Sequence, residues 1–253
     1  MSVLDQIVAA HRRAAEADQR DVDVLVDAAR VAPPTRDFRG ALAAPGLSVI
    51  AEVKRRSPSK GNLAPDLDPA LVAKGYAAGG AAALSVLTDA DWFGGSPADL
   101  AAARAATDLP ALRKDFTVDA RDIADARLMG ADAVLLIVAA LSDDDLAAFV
   151  ALAGTLDLAA LVEVHAEAEL DRALGAGATL VGVNQRDLTT FDVDGTLAAR
   201  LRPRIPDTVV TVAESGIRAR GDIPDGYDAI LVGESLVTSS DPTAALRALR
   251  GES

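Results

Sequence analysis

Cysteine is absent from the 253 residues, which rules out disulfides, thiolate nucleophiles and cysteine-held metals. Histidine is almost absent. His11 and His165 are too few for a His-rich metal centre, and neither a metal nor any other cofactor is expected. Aromatic residues make up only 3% while half the chain is hydrophobic, so Ala, Val, Leu and Ile must fill the core. No apolar run reaches the roughly 18 residues that suggest a membrane span. Asp5, Arg12 and Arg13 interrupt the N-terminus, so neither a signal peptide nor a membrane helix is expected, and the compartment reads as cytoplasm.

Lysine is the other scarcity. It occurs only at positions 54, 60, 74 and 114, and arginine supplies the remaining cations. Where arginine serves nearly everywhere, a retained lysine suggests a need for its smaller, tunable ammonium. Three of the four lie in two short motifs, "KRRSPSK" and "LRKDF". Acid is in excess at a net charge of −13, mostly as Asp, which argues against nucleic acid or an anionic membrane as partner.

What is present is alternation. Short β-branched-rich runs at 47–54, 81–87, 109–113, 132–138, 158–164, 179–184, 208–213 and 228–233 read as strands. Stretches of helical period fall between them, at 69–78, 97–106, 119–129, 143–154, 166–175, 194–201 and 218–222, and 242–250 closes the chain. Ser96 and Ser142 stand at expected helix starts, and Gly130 and Gly177 at expected helix ends. Eight such units predict an α/β fold, a (β/α)8 TIM barrel, of about the usual ~250 residues. A doubly wound sheet is the runner-up, but no Gly-rich dinucleotide turn follows the first strand. Residues 1–40 are amphipathic and predict one or two extra helices packed on the barrel, ending at Pro33-Pro34, with residues 1–253 forming one domain.

The first strand, in "IAEVKRRSPSKG", puts Ile50, Glu52 and Lys54 on one face and Val49, Ala51 and Val53 on the other. Both faces are mainly apolar, as in a strand buried on two sides. Two charges at its end therefore need a reason, because burial costs several kcal/mol per ion. The catalytic face of such a barrel lies at the C-terminal strand ends. Those ends carry Glu52, Lys54, Lys114, Glu163, Asn184 and Arg186, then "AESGI" and "VGES". The last two place a small residue beside a glycine where backbone N–H groups can approach an anion, and helices following them would favour its charge. His165 reads as a helix-flanking residue and "SDDDL" as a helix-start acid cluster, not a metal site.

"IAEVKRRSPSKG", "LRKDF", "LVEVH", "GVNQRDLTTFDVD", "VAESGI" and "VGESL" together resemble, in order and spacing, the motifs of indole-3-glycerol phosphate synthases. "SVLTDADWFGGS" is similar to that family's substrate loop, and the likeness covers essentially the whole chain. The resemblance implies ring closure, decarboxylation and dehydration of 1-(2-carboxyphenylamino)-1-deoxyribulose 5-phosphate, a small anionic substrate, by a monomer. It implies Lys114 as general acid on the ketone, Glu163 as stabiliser of the iminium charge, and Glu52 and Lys54 as base and acid of dehydration. Asn184 and Ser215 would position hydroxyls, and Arg186 would be a network cation. Ser57, Glu214, Gly216, Gly233 and Ser235 would hold substrate or its phosphate. An isomerase of the same pathway would be expected to use a cysteine and a metal-dependent epimerase several histidines, both missing here. A barrel that only binds a phosphate sugar is the alternative from another class.

Overall fold

The computed structural model describes residues 2–252. Eight parallel strands close into a barrel: β1 (Ser48–Val53), β2 (Ala83–Leu87), β3 (Ala111–Lys114), β4 (Ala133–Ile137), β5 (Ala159–Val164), β6 (Leu180–Asn184), β7 (Val210–Glu214) and β8 (Ala229–Val232). Each pairs with its successor, and β1 also pairs with β8 from Ser48↔Ala229 to Ala51↔Val232. Alternation along the strands divides the core in two. Val49, Ala51 and Val53 face outward and pack with Val86, Val134, Val162 and Val183 under the helices. Ile50 faces inward with Leu112, Leu135, Leu161, Leu180, Val212 and Leu231. Each such Leu or Val buried contributes about 1.5–3 kcal/mol relative to exposure.

Three helices precede β1: α1 (Val3–Ala17), α2 (Val22–Arg30) and α3 (Phe38–Leu42). The first two end before Pro33-Pro34, within the expected one or two, and α3 beyond the prolines is one that was not expected. Asp37 restarts the helix by accepting a hydrogen bond from Gly40 N at 2.8 Å. α3 plugs the N-terminal end of the barrel with Phe38 and Leu42, both fully buried. Arg39 fastens it there by donating to Thr179 O and Thr208 O, just ahead of β6 and β7. α2 packs along the outer wall, and α1 crosses to the opposite, C-terminal mouth, where Ile7 joins the inner cluster.

The outer helices are α4 (Pro69–Ala78), α5 (Ala90–Phe93), α6 (Pro97–Ala105), α7 (Ala120–Leu128), α8 (Asp143–Thr155), α9 (Glu167–Gly175), α10 (Leu197–Leu201), α11 (Glu234–Val237) and α12 (Pro242–Arg250). Ser96 and Ser142 cap α6 and α8 as expected. Gly130 and Gly177 follow α7 and α9 at φ of 85° and 83°, a conformation that disfavours any Cβ. The helix expected over 218–222 is only a 3-10 turn, Arg220–Asp222. No helix among the described residues is long and apolar enough to cross a membrane.

Candidate active site

Inward positions near the C-terminal strand ends carry ionisable groups where the layers below carry hydrocarbon. Glu52, Glu163 and Glu214 are 4%, 1% and 2% exposed, and Lys114 joins them from the end of β3. Lys114 Nζ lies 3.1 Å from Glu163 Oε2 and 3.8 Å from Glu214 Oε2, while Lys54 pairs with Glu52. Asn184 Nδ2 donates to Glu163 Oε1 at 3.1 Å, and its Oδ1 accepts from Arg186 N. Five ionisable side chains therefore meet at the inner strand ends, an arrangement stable only because each charge finds a partner.

Their protonation follows from that packing. Burial pulls the Lys114 ammonium toward release, but Glu163, Glu214 and Glu52 outweigh it and hold its pKa above the usual lysine range. Burial would raise Glu163. The charge of Lys114, with His165 and Asn184 behind it, instead holds it well below the usual carboxylate range. Glu214 goes the other way, pushed up by burial and by the negative charge of Glu163. The floor thus holds an ionised Glu163 beside a proton-bearing Glu214. Gly182, opposite on β6, leaves the room Glu214 occupies, because a Cβ there would collide with its Oε1.

Above this floor opens a cavity of about 1130 Å³, and every residue singled out from the sequence lines it. One half is apolar, walled by Phe93, Phe116, Leu135, Ile137 and Leu188, and roofed by Val3, Leu4 and Ile7 of α1. Such a half suits an aromatic ring. The other half is polar and built from Ser57–Lys60, Ser215–Arg218 and Gly233–Ser235. Ser235 Oγ donates to Ile217 O at 3.3 Å and stitches the last two loops together.

Ser215 and Gly216 both take left-handed backbone, with φ of 65° and 78°. For a serine this conformation is strained. Gln185 Nε2 donates to Ser215 O at 2.9 Å and holds the turn. The helices that were to favour an anion here are slight: the 3-10 turn after β7 and the four-residue α11 after β8. A macrodipole contributes little at that length, which leaves backbone N–H groups, hydroxyls and side-chain cations.

Several placements were not legible in the sequence. Glu214, grouped with the substrate-holding residues, sits on the floor, its Oε2 3.8 Å from Lys114 Nζ. Arg186 spends its guanidinium on Phe191 O at 2.9 Å, shaping the loop after β6. Lys60 and Arg218 face the polar half, whereas Arg55 of the basic motif pairs with Asp99 and Arg56 donates to Asp91 O. His165 contacts the floor itself, with Nε2 3.2 Å from Glu163 Oε1. His11 clasps α1 to the mouth, its Nε2 3.0 Å from Asp89 Oδ2. Asp89 also caps α5, and Asp115 accepts from Thr88, Arg113 and Phe116 N. With their oxygens so engaged, these carboxylates form a clasp and not an ion cage.

The model of the family "Indole-3-glycerol phosphate synthase" matches residues 4–249. Indole-3-glycerol phosphate synthase 2 of Streptomyces coelicolor is 54% identical over 231 residues, covering 90% of each chain. The Nocardioides indole-3-glycerol phosphate synthase is 53% identical, covering 99% of each. Among solved structures, thiamine phosphate pyrophosphorylase from Pyrococcus furiosus superposes with a TM-score of 0.62 at 19% identity, covering 81% of this chain and 94% of that one. KGPDC from Streptococcus mutans gives 0.60 at 12%, covering 81% and 96%. Those structural likenesses bear on the barrel alone. With nearly the whole chain matched, this protein belongs to the indole-3-glycerol phosphate synthase family.

Proposed function

We propose that the chain converts 1-(2-carboxyphenylamino)-1-deoxyribulose 5-phosphate to indole-3-glycerol phosphate, with loss of CO2 and water. The observation that carries this reading is the pair of buried ion pairs, Lys114–Glu163 and Lys54–Glu52, under a cavity with one apolar and one polar half. Holding a phosphate sugar needs no such floor, which counts against a barrel that only binds. Ring closure joins the carboxylate-bearing ring carbon to the keto carbon, and Lys114 gives its proton to the developing oxyanion. The positive charge left on the anilino nitrogen faces Glu163. Loss of CO2 restores the aromatic ring. Lys54, having held the carboxylate, then protonates the departing hydroxyl while Glu52 removes the proton that completes the double bond. Asn184 and Ser215 orient hydroxyls, Arg186 holds the adjoining loop, and Ser57, Gly216, Gly233 and Ser235 surround the phosphate. The proposed chemistry calls on groups of one chain alone, and the proposal is of a monomer acting in the cytoplasm.

Mixing purified protein with this substrate should release CO2 and indole absorbance in equal amounts. Tight binding without either product would leave the binding-only reading standing. Ser215→Glu tests the polar half. A carboxylate there repels a dianion at close range, so KM should rise far more than kcat falls. Sulfate soaked into crystals should appear between Gly216 and Gly233, and strong density elsewhere instead would move the phosphate site.

The surplus acid has a kinetic consequence. Of the basic motif, Arg55 and Arg56 are engaged elsewhere and Lys54 is paired with Glu52, so Lys60 is its member left facing the polar half, 3.8 Å from Glu234. Salt shortens the Debye length from ~10 Å at 0.1 M to ~3 Å at 1 M, silencing distant acids before contact cations. kcat/KM and the melting temperature should therefore hold or rise with KCl towards molar concentration. A steep fall in both would show that local attraction dominates.

A further inference from the structure

His165 has no part in the steps above, yet it is built into the floor. It follows β5 directly, its side chain 11% exposed. Nε2 lies 3.2 Å from Glu163 Oε1 but off the line of a hydrogen bond, so the contact is one of charge. On the ring's other side, Nδ1 lies 3.2 Å from Glu169 Oε2. That same oxygen accepts the His165 backbone N–H at 2.7 Å, and Glu169 stands in the first turn of α9. One carboxylate thus fixes both the backbone and the ring.

Glu163 faces four groups: Lys114 at Oε2, Asn184 and His165 at Oε1, and Glu214 beside it. Of these, Asn184 and the proton-bearing Glu214 are neutral. When Lys114 passes its proton to the substrate, Glu163 loses that cation while still buried, and a lone buried carboxylate is driven to take up a proton. A proton-bearing Glu163 could no longer face the positive nitrogen. We propose that His165, oriented by Glu169, is a positioning residue for Glu163, supplying the second cation that keeps it ionised and aimed while Lys114 is discharged. This rests on the roles of Lys114 and Glu163 given above.

The charged groups around His165 agree. Glu163 comes from β5, Glu169 from α9, and Asp187, whose carboxyl His165 helps to hold low, from the loop after β6. Burial alone would lower the imidazole's pKa, but Glu163 and Glu169 outweigh it and push it up to about 10. The cation therefore persists through neutral pH.

The chain has only two histidines, so nitrogen-15 NMR of the imidazoles resolves His165 once His11→Gln identifies the other. In the intact protein His165 should titrate at least one unit above the ordinary ~6.5. Glu169→Gln should lower that value and cut kcat about tenfold, the factor carried by one unit. It should leave KM nearly unchanged and move the acid limb of kcat to higher pH. His165→Asn should do the same more strongly. If it fails to fold, Glu169→Gln and the intact protein still decide the matter. Glu163→Gln separates the two readings: retained turnover overturns the role of Glu163. Lost turnover with His165 still titrating where it did in the intact protein overturns only the coupling proposed here. Ordinary titration of His165 in the intact protein, or an unchanged kcat and acid limb in both variants, overturns it as well.

Discussion

Lys114→Met should lower kcat by ~10²-fold or more, within the range for loss of a general acid, while the barrel still folds. Removing one member of a buried pair ordinarily destabilises by about 3–5 kcal/mol, because the other charge is left alone. Here Glu163 keeps Asn184 at 3.1 Å and His165 at 3.2 Å, and Glu214 beside it holds its own proton. The loss should therefore fall mainly on chemistry. Single-turnover rates beside a thermal melt separate the two. A near-normal rate constant would remove Lys114 from the mechanism. Lys114→Arg should be almost as damaging, since a guanidinium does not release its proton near neutral pH and its fork needs more room.

Gly233→Ala should be the most harmful small substitution in the site. The backbone there has φ of −119°, which any residue adopts, so strain is not the objection. Space is. A Cβ at 233 would enter the position of Glu52 Oε1 and stand 3.1 Å from Lys54 Nζ. Glu52 is 4% exposed and cannot swing into water without leaving the floor. Displacing a reacting group by about an ångström can cost ~10²-fold in rate, so kcat should fall by roughly that factor. The melting temperature should move by only a few degrees, because no core apolar contact is lost. Wild-type kcat would mean that dehydration tolerates a displaced Glu52–Lys54 pair.

The two substitutions mark what could be read from sequence and what could not. Lys114 was visible: a rare lysine at a strand end, on the inward parity set by Leu112. The eight strands were visible for the same reason, since each is a β-branched run between helical stretches. What register decides was hidden. The pairing Asn184↔Glu214 and the emptiness of Gly182 put Glu214 beside Lys114 and Glu163, and no local pattern encodes which strand end meets which. His165 read as a helix flank because it is one. Its second contact runs to the face of Glu163, a neighbour two residues back whose direction depends on the strand. Short elements escaped for lack of period: α3 and α5 are too brief to show one, and the antiparallel pair Arg56–Ser57 with Gly61–Asn62 spans a turn inside a basic loop.

The pairing of β1 with β8 has a consequence for how the chain is made. During synthesis Glu52 and Lys54 emerge early, while the strand that seats against them, from Ala229, comes nearly last. Until then β1 has one open edge, its backbone N–H and C=O groups without their strand partner and prone to pair wrongly. Contacts so far apart in sequence form slowly. The ring therefore closes at the seam where Gly233 meets the Glu52–Lys54 pair, and the last step of assembly also completes the acid–base pair for dehydration. A ribosome-bound chain short of β8 holds most of the barrel but lacks the wall against which the Glu52–Lys54 pair is seated.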